Sequence, residues 1–331
     1  ADRNVIAPGE QITLTWITAP GAAGRSIDNG VGSVEAQTTN GIGSMVLNPT
    51  QNTTYVLTST LGGDTRTRNV TVQVAIIEYL KKKEKPFTVH DTHAGAGSYA
   101  IASEHMQKTG EYQDGIARLM DSRTGVGVID QYVALVKKLN PVGKLTEYPG
   151  SPLISASLLR EQDRLQCTEL HSTDFELLQR RFADDKRVRV EKLDAWQGFK
   201  AMLPPQHRRG LVLIDPSYEM EADYLGLLPA LQMAMERFST ATYAIWYPVL
   251  DRNRTESFIR RFVKAEIPNL LRVECCPRPD ASGRGMTGSG MLIINPPYTL
   301  AQHMAQAMPV LKSALCEPNG HTLVRELTGE A

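Results

Sequence analysis

The sequence predicts an α/β chain: a seven-stranded, mostly parallel sheet carrying an inserted helical subdomain, preceded by a small all-β unit. Three observations carry that expectation. Four short apolar runs each close on an acid, at Asp91, Glu169, Asp194 and Asp215. The first of them opens into a glycine-rich turn, Thr92-His93-Ala94-Gly95-Ala96-Gly97. Composition also breaks near residues 74 to 76: up to Val74 there is no Lys, His, Phe or Cys and Thr occurs thirteen times, after which Lys81, Lys82, Lys83 and Lys85 arrive together.

The all-β unit is assigned to residues 1–74. Apolar residues alternate at Ile12, Leu14 and Trp16, again around Val56, and again at Val70, Val72 and Val74. Period two between Gly, Pro, Asn and Asp clusters reads as short antiparallel strands. The run from Asn48 to Thr58 resembles the corner and strand of bacterial immunoglobulin-like repeats, with Trp16 as core aromatic and Tyr55 near a tyrosine-corner position. A β-sandwich of about six or seven strands is expected. No cluster of titratable groups suits it for chemistry, so it reads as a binding or spacer module whose partner is left open.

Composition bounds the rest. A chain of 331 residues with 41% hydrophobic residues is long enough for two cores. Net charge is zero, so contact with a nucleic acid has to come from local patches. Cys167, Cys275, Cys276 and Cys316 show no C-x-x-C spacing and read as free thiols in a reducing compartment; no metal site is indicated. No apolar run approaches 18 residues and no signal-peptide pattern opens the chain, so no membrane partner is expected.

Residues 75–331 form the second domain. Ile76, Ile77 and Leu80 fall at helical spacing ahead of Pro86, so a helix leads into the first strand. The lysines at its end lie at the N-terminal edge of the sheet and read as a solvated helix end or, alternatively, an RNA contact. The turn through Gly95 and Gly97 either cradles a ligand, with a following helix offering N–H groups, or is a tight strand-to-helix connection. It lacks the third small residue of the dinucleotide pattern, which disfavours an NAD-type oxidoreductase. Then 72 positions separate Gly97 from Glu169, far more than a simple crossover uses. Residues 99–147 are read as an inserted helical subdomain, a lid or substrate platform or simply a structural insertion. Tyr112 to Met120 and Ile129 to Leu139 are helical in period, and Ser151 is placed to cap a helix running through Arg160.

Ligands in open α/β sheets bind beyond the carboxyl ends of the strands, so the four acids should converge on one cleft. An acid after the second strand suits the two ribose hydroxyls, and one after the third reaches an adenine amino group. That succession fits S-adenosyl-L-methionine better than a dinucleotide, since no phosphate is cradled.

The fourth acid continues as Asp215-Pro216-Ser217-Tyr218, which resembles the [D/N/S]-P-P-[Y/F/W] loop of amino-methyltransferases. An exocyclic amine is a poor nucleophile because its lone pair is delocalised into the ring. A carboxylate and a backbone carbonyl that accept its two N–H hydrogens free that lone pair for in-line attack on a methyl sulfonium. The aromatic ring then stacks on a base swung out of its helix. Asn295-Pro296-Pro297-Tyr298 matches the loop better by letter but follows the seventh strand, whereas the catalytic loop of this fold follows the fourth. The connection Pro277 to Gly290 carries Arg278 and Arg284 and is read as an RNA-contacting loop or a plain mobile hairpin.

With those residues in hand, the chain from about Ile76 resembles the RlmJ family of 23S ribosomal RNA adenine-N6 methyltransferases. The motifs are DTHAGAG at 91–97, EYPGSP at 147–152, TELH at 168–171, RRGLVLIDPSYEM at 208–220, AIWYPV at 244–249 and RGMTGSGMLIINPPY at 284–298. The resemblance implies a Rossmann-like class I methyltransferase fold and an S-adenosylmethionine-dependent enzyme that methylates the N6 amino group of an adenine in 23S rRNA. It implies that His93, Ser151, Glu169 and Asp194 with Ala195 contact the cofactor, beside Gly95 and Gly97, and that Asp215 is the catalytic residue. It further implies a cytoplasmic, monomeric protein that prefers bare rRNA to an assembled particle. Three departures stand out. The family's Tyr/Arg/His-rich opening segment and Lys-His pair are replaced by the all-β unit, Ser217 stands where the loop has its second proline, and Ala195 stands where the family has glycine. The first leaves an alternative open, a protein that binds cofactor or RNA without turnover.

Overall fold

The computed structural model describes residues 11–17, 23–27, 31–34, 36–39, 42–50, 57–60, 66–103, 111–120, 123–218, 221–280 and 286–329. The chain divides into two compact units, residues 1–63 with 281–286, and residues 64–280 with 287–331.

In the first unit the strands are β1 (Ile12–Ile17), β2 (Ala23–Ile27), β3 (Gly32–Ser33), β4 (Thr38–Thr39), β5 (Ile42–Leu47) and β6 (Leu57–Thr60). They form two antiparallel three-stranded sheets, ordered β1-β5-β4 and β3-β2-β6. Trp16 is the core aromatic, packed with Ile27 and Val34. Its indole N–H donates to Thr38 Oγ1 at 2.9 Å, and that hydroxyl donates to the Val34 carbonyl at 2.7 Å, so the ring's one polar atom stays satisfied while the rest is buried. Tyr55 and Val56 lie outside the described residues.

The second unit begins earlier than the composition break suggests. Val70, Val72 and Val74 do not form a strand: they lie inside one helix, Arg66–Lys81, and the unit boundary moves from 74 to 63. Every residue from Val70 to Ile77 is buried. A helix buried all round loses its polar face, so alternating valines were free to mimic a strand. The polar residues between them are accommodated individually; Gln73 donates both amide hydrogens, to the Ser151 carbonyl and to Ser155 Oγ, each at 2.8 Å. At the helix end, Arg160 donates to the carbonyls of Lys81 and Lys83, and Arg209 to those of Leu80 and Lys85. Two guanidinium groups thus satisfy the terminal carbonyls, and the lysine run is the exposed rim of a helix end.

The remaining strands are β7 (Thr88–Asp91), β8 (Ser98–Ala100), β9 (Glu147–Pro149), β10 (Arg164–Thr168), β11 (Val188–Glu191), β12 (Gly210–Ile214), β13 (Thr242–Val249), β14 (Leu270–Cys276), β15 (Gly288–Ile294) and β16 (His321–Thr328). Among the described residues the main sheet has eight strands, in the order β11-β10-β7-β12-β13-β15-β14-β16, where seven were expected. The extra strand, β16, pairs among the described residues only with β14 and is nowhere fully buried, so His-Thr-Leu-Val-Arg-Glu-Leu-Thr carries too little apolar signal to stand out. From β11 to β13 all neighbours are parallel, while β15 runs antiparallel to both β13 and β14. Strands β12, β14 and β15 are buried throughout; β12 reads as a continuous apolar run, while β14 carries the buried charges Arg272 and Glu274.

The insertion is closed at its base by the antiparallel pair β8–β9, which brings Ser98 opposite Pro149. Within it the expected helix from Tyr112 to Met120 is two single turns, Glu111–Asp114 and Ala117–Met120, interrupted at Gly115, and a longer helix spans Gly127–Leu139. Asn140 then locks the return: its amide donates to the Val136 and Glu147 carbonyls, and its oxygen accepts from the Thr146 and Glu147 amides, all at 2.8 to 2.9 Å. No described helix is long and apolar enough to cross a membrane.

Candidate active site

Strand β7 pairs with β10 on one side and β12 on the other, so chain order reverses at β7. A crevice at the carboxyl end of such a strand is where an open α/β sheet takes its ligand. The turn after β7 is bound to both neighbours: Thr92 donates from N and Oγ1 to the Leu213 carbonyl at 3.0 and 2.9 Å, and Ala94 N donates to the Thr168 carbonyl at 3.2 Å. Gly95 and Gly97 have φ of +60° and +81°, and a Cβ on Gly97 would stand 2.9 Å from Leu178 Cδ1. The positive torsions favour glycine at both positions, and the side chain of Leu178 would have to give way to a Cβ at Gly97. The segment after Gly97 is the strand β8 and not a helix, so the expected helix N-terminus is absent from this turn; its exit is fastened by Gly150 N donating to the Gly97 carbonyl at 2.8 Å.

Glu169 is drawn against this turn. Its Oε2 accepts from Gly95 N and its Oε1 from His171 N, both at 2.7 Å. A carboxylate has about four lone-pair sites, so each oxygen retains capacity for a hydroxyl donor. Asp91 is only 1% exposed. Burial pushes its carboxyl up to about 7; the Ser151 hydroxyl pulls it back, and the nearby Asp215 and Glu169 carboxylates add to the rise. Its Oδ2 is buried without a hydrogen-bond partner. Ser151 thus works on Asp91 rather than as the helix cap, a place taken by Gly150.

His93 sits edge-on to Trp196 with ring centroids 5.9 Å apart, and Thr92 Oγ1 lies 2.7 Å from its Nδ1. Burial lowers it to about 4 against the opposing pull of Asp194 and Asp223, so the ring is neutral near pH 7. Asp194 caps the helix Ala195–Met202, its Oδ1 accepting from Trp196 N at 2.9 Å and Gln197 N at 3.3 Å. Ala195 is buried in the first turn of that helix. Trp196 and Asp223 join the site without having been singled out by sequence; an aromatic two positions after the third acid was the available signal.

Asp215 follows β12, exposed at the same edge and close enough to Asp91 and Tyr218 to raise both. Pro216 is buried and Ser217 exposed, with Ser217 Oγ donating to Asp223 Oδ2 at 3.1 Å. Tyr218 corrects the stacking expectation. It has φ of +55°, is 2% exposed, donates its hydroxyl to the Trp246 carbonyl and packs against Tyr224 at 4.6 Å. In this conformation its ring supports the loop from inside the core. A bulky residue at positive φ is strained, and such strain gathers at functional loops.

The Asn295 loop lies at the opposite edge of the sheet. Because β15 is reversed, its last residue, Ile294, pairs with Tyr243 at the start of β13. Asn295 Nδ2 donates to the Ser239 and Ala241 carbonyls ahead of that strand, at 2.9 and 3.0 Å. Arg278 follows β14 with its N donating to the Thr287 carbonyl at 3.2 Å, and Arg284 lies outside the described residues. Among the described residues, one group brings three metal-ligand atoms within 4.8 Å: Glu274, Cys276 and His321. Arg252 already spans it, reaching Glu274 Oε2 at 2.9 Å, His321 Nε2 at 3.1 Å and Cys276 Sγ at 3.5 Å. The cation at that point is a guanidinium.

Comparison with known proteins gives one consistent answer. Residues 84–328 match the family model described as ribosomal RNA large subunit methyltransferase D, RlmJ. The chain is 48% identical over 261 residues to ribosomal RNA large subunit methyltransferase J of Escherichia coli, covering 78% of this chain and 93% of that protein. It is 47% identical over 261 residues to the protein of the same name from Haemophilus influenzae, with the same coverage. A crystal structure of a Legionella pneumophila protein superposes with a TM-score of 0.73 at 31% identity, covering 81% of this chain and 98% of that one.

Proposed function

The chain belongs to the RlmJ family of ribosomal RNA large subunit methyltransferases, and from that premise we propose that its Asp215 loop methylates the N6 amino group of an adenine in 23S rRNA. One observation carries the assignment to this loop: Asp215-Pro216-Ser217-Tyr218 ends β12 at the switch edge shared with Gly95 and Glu169, while the better letter match ends a reversed strand at the far edge.

S-adenosyl-L-methionine is the cofactor, and when bound it supplies a methyl group carried on a sulfonium. The chain offers groups that fit it. The partnerless Asp91 Oδ2 accepts from an ammonium, and the half-buried Glu169 accepts from a pair of vicinal hydroxyls while fixing the Gly95 turn. Neutral His93 and Trp196 form an aromatic wall beside Asp194. At the loop, the Asp215 carboxylate and the Pro216 carbonyl accept the two amine hydrogens, which localises the nitrogen lone pair for attack. The proton becomes acidic only after transfer, so no group has to remove it beforehand. Tyr218 holds the loop by its core contacts, and Arg278 with Arg284 supplies charge for the RNA backbone.

Glu169→Ala is expected to weaken S-adenosylmethionine binding about tenfold to a hundredfold, because it removes charge-assisted hydrogen bonds worth roughly 1.5 to 3 kcal/mol. Calorimetric titration reads this directly; unchanged affinity removes Glu169 from the site.

The substrate form follows from how single adenines are reached. A base inside a folded, protein-covered particle cannot swing out into this edge, so bare 23S rRNA is the substrate, used by a cytoplasmic monomer. Equal methyl incorporation into bare rRNA and into the assembled large subunit would contradict that. The first unit, with its Trp16 core and two three-stranded antiparallel sheets, is an immunoglobulin-like spacer or binding module.

A further inference from the structure

Cys275, Cys276 and Cys316 stand outside the site just described, Cys167 pairs in register with Asp91, and the four are not equivalent. Cys167 and Cys276 are enclosed, and burial pushes both thiols up, the latter to about 12. Cys275, on β14, and Cys316, which closes the helix Leu300–Leu315, face each other with their sulfurs 3.8 Å apart.

The backbone on either side holds them in that relation. Cys316 N donates to the Lys312 carbonyl at 3.0 Å, ending the helix, and Glu317 N donates to the Pro277 carbonyl at 2.8 Å. Gly320 then returns so closely that a Cβ on it would stand 2.4 Å from Pro277 O, 2.8 Å from Cys276 O and 2.8 Å from Cys316 Cβ. The segment 316–320 is therefore fastened to the end of β14, with one thiol on each side of the seam. Cys316 is half-buried, within reach of a small solute, whereas Cys275 is 2% exposed behind it.

We propose that Cys275 and Cys316 form an oxidisable dithiol, a modification site at which a hydroperoxide converts the pair into an intrachain disulfide. The Cys316 sulfur attacks the peroxide O–O bond; with hydrogen peroxide this yields a sulfenic acid and one water. The Cys275 sulfur then attacks the sulfenic sulfur. An S–S bond forms, the S–O bond breaks, and the departing hydroxide takes the Cys275 proton as a second water. Two thiols lose two electrons in all, and the peroxide gains them. Sulfenic acids condense with an adjacent thiol in this way and are restored by reduction. Reaching a bonded separation of about 2.05 Å asks each sulfur to move by about 0.9 Å, within the swing of a side-chain torsion.

The test is mass spectrometry of the full chain after treatment with hydrogen peroxide, alkylation of remaining thiols and digestion. The expected result is loss of two hydrogens, regained with dithiothreitol. Cys276→Ser retains that loss, and both Cys316→Ser and Cys275→Ser abolish it. In Cys275→Ser the sulfenic acid stranded on Cys316 is captured by dimedone. Cys316 is half-buried, so its serine variant keeps the test readable if Cys275→Ser does not fold. A disulfide involving Cys167 or Cys276, a bond between chains, oxidation of Cys316 to sulfinic acid while Cys275 stays free, or no reaction at Cys316 would each overturn the proposal.

Discussion

Asp215→Ala is expected to cut methyl transfer by at least about a thousandfold while leaving S-adenosylmethionine affinity within about twofold. The expectation rests on what the loop has to do. Removing one preorganised polar group at a reacting centre costs about a hundredfold to a thousandfold, and a misplacement of about 1 Å costs a further factor of about a hundred. Asp215 supplies both a charge and a position: it is the exposed residue that follows β12, and the loop after it is held by the buried Pro216 and the Tyr218 contacts. The change leaves the contacts of the cofactor groups in place and removes only a lesser cause of the rise at Asp91, whose main cause is burial. Single-turnover transfer alongside a binding titration separates the two effects. A variant that keeps more than a tenth of the parent rate places the chemistry elsewhere, and one that loses cofactor affinity in proportion makes Asp215 a binding residue.

Arg272→Met is expected to destabilise the second unit by about 3 kcal/mol, toward the lower end of what breaking a buried ion pair costs. Arg272 lies in the sheet, 4% exposed, with Glu274 beside it 1% exposed. Its guanidinium donates to Glu274 Oε1 at 2.6 Å, to Glu256 Oε1 at 2.7 Å and to the Tyr247 hydroxyl at 3.2 Å. Methionine leaves the Glu274 carboxylate buried with Arg252 and the Tyr247 hydroxyl as its remaining partners. Tyr247→Phe, which removes one hydrogen bond to a charged group, is expected to cost about 1.5 to 3 kcal/mol. Chemical denaturation of the full chain followed by circular dichroism measures both. An Arg272→Met midpoint equal to the parent's would show that the network contributes specificity and not stability.

The parts of this molecule that were legible in its sequence are those where chemistry and geometry coincide. A glycine at positive φ, an acid at a strand end and a proline-bearing loop are visible because few residue types serve there; Gly95, Gly97, Glu169 and Asp215 all lie at one edge of the sheet. The succession of four strand-plus-acid units was legible for the same reason, whereas the spatial order of the strands was not read from the sequence. What the sequence hid is set by tertiary surroundings. Val70 to Val74 alternate like a strand because the stretch of helix from Val70 to Ile77 is buried and needs no polar stripe. Ser151 has the residue type of a helix cap but turns its hydroxyl to Asp91, because Gly150 already occupies the capping position. Tyr218 belongs to a motif whose ring is expected to meet a base, yet its positive φ directs it into a pocket of Tyr224, Trp246 and Phe258. Strand β16 escaped because an edge strand with one partner needs little apolar patterning.

The direct measurement is transfer from S-adenosylmethionine carrying a labelled methyl group to deproteinised 23S rRNA by the full chain, followed by digestion to nucleosides and mass spectrometry. The loop geometry predicts label in N6-methyladenosine alone, about one per rRNA molecule as expected of a single flipped base, and none with Asp215→Ala. Label in any other nucleoside, label that survives Asp215→Ala, or no label from a chain that binds the cofactor would contradict it.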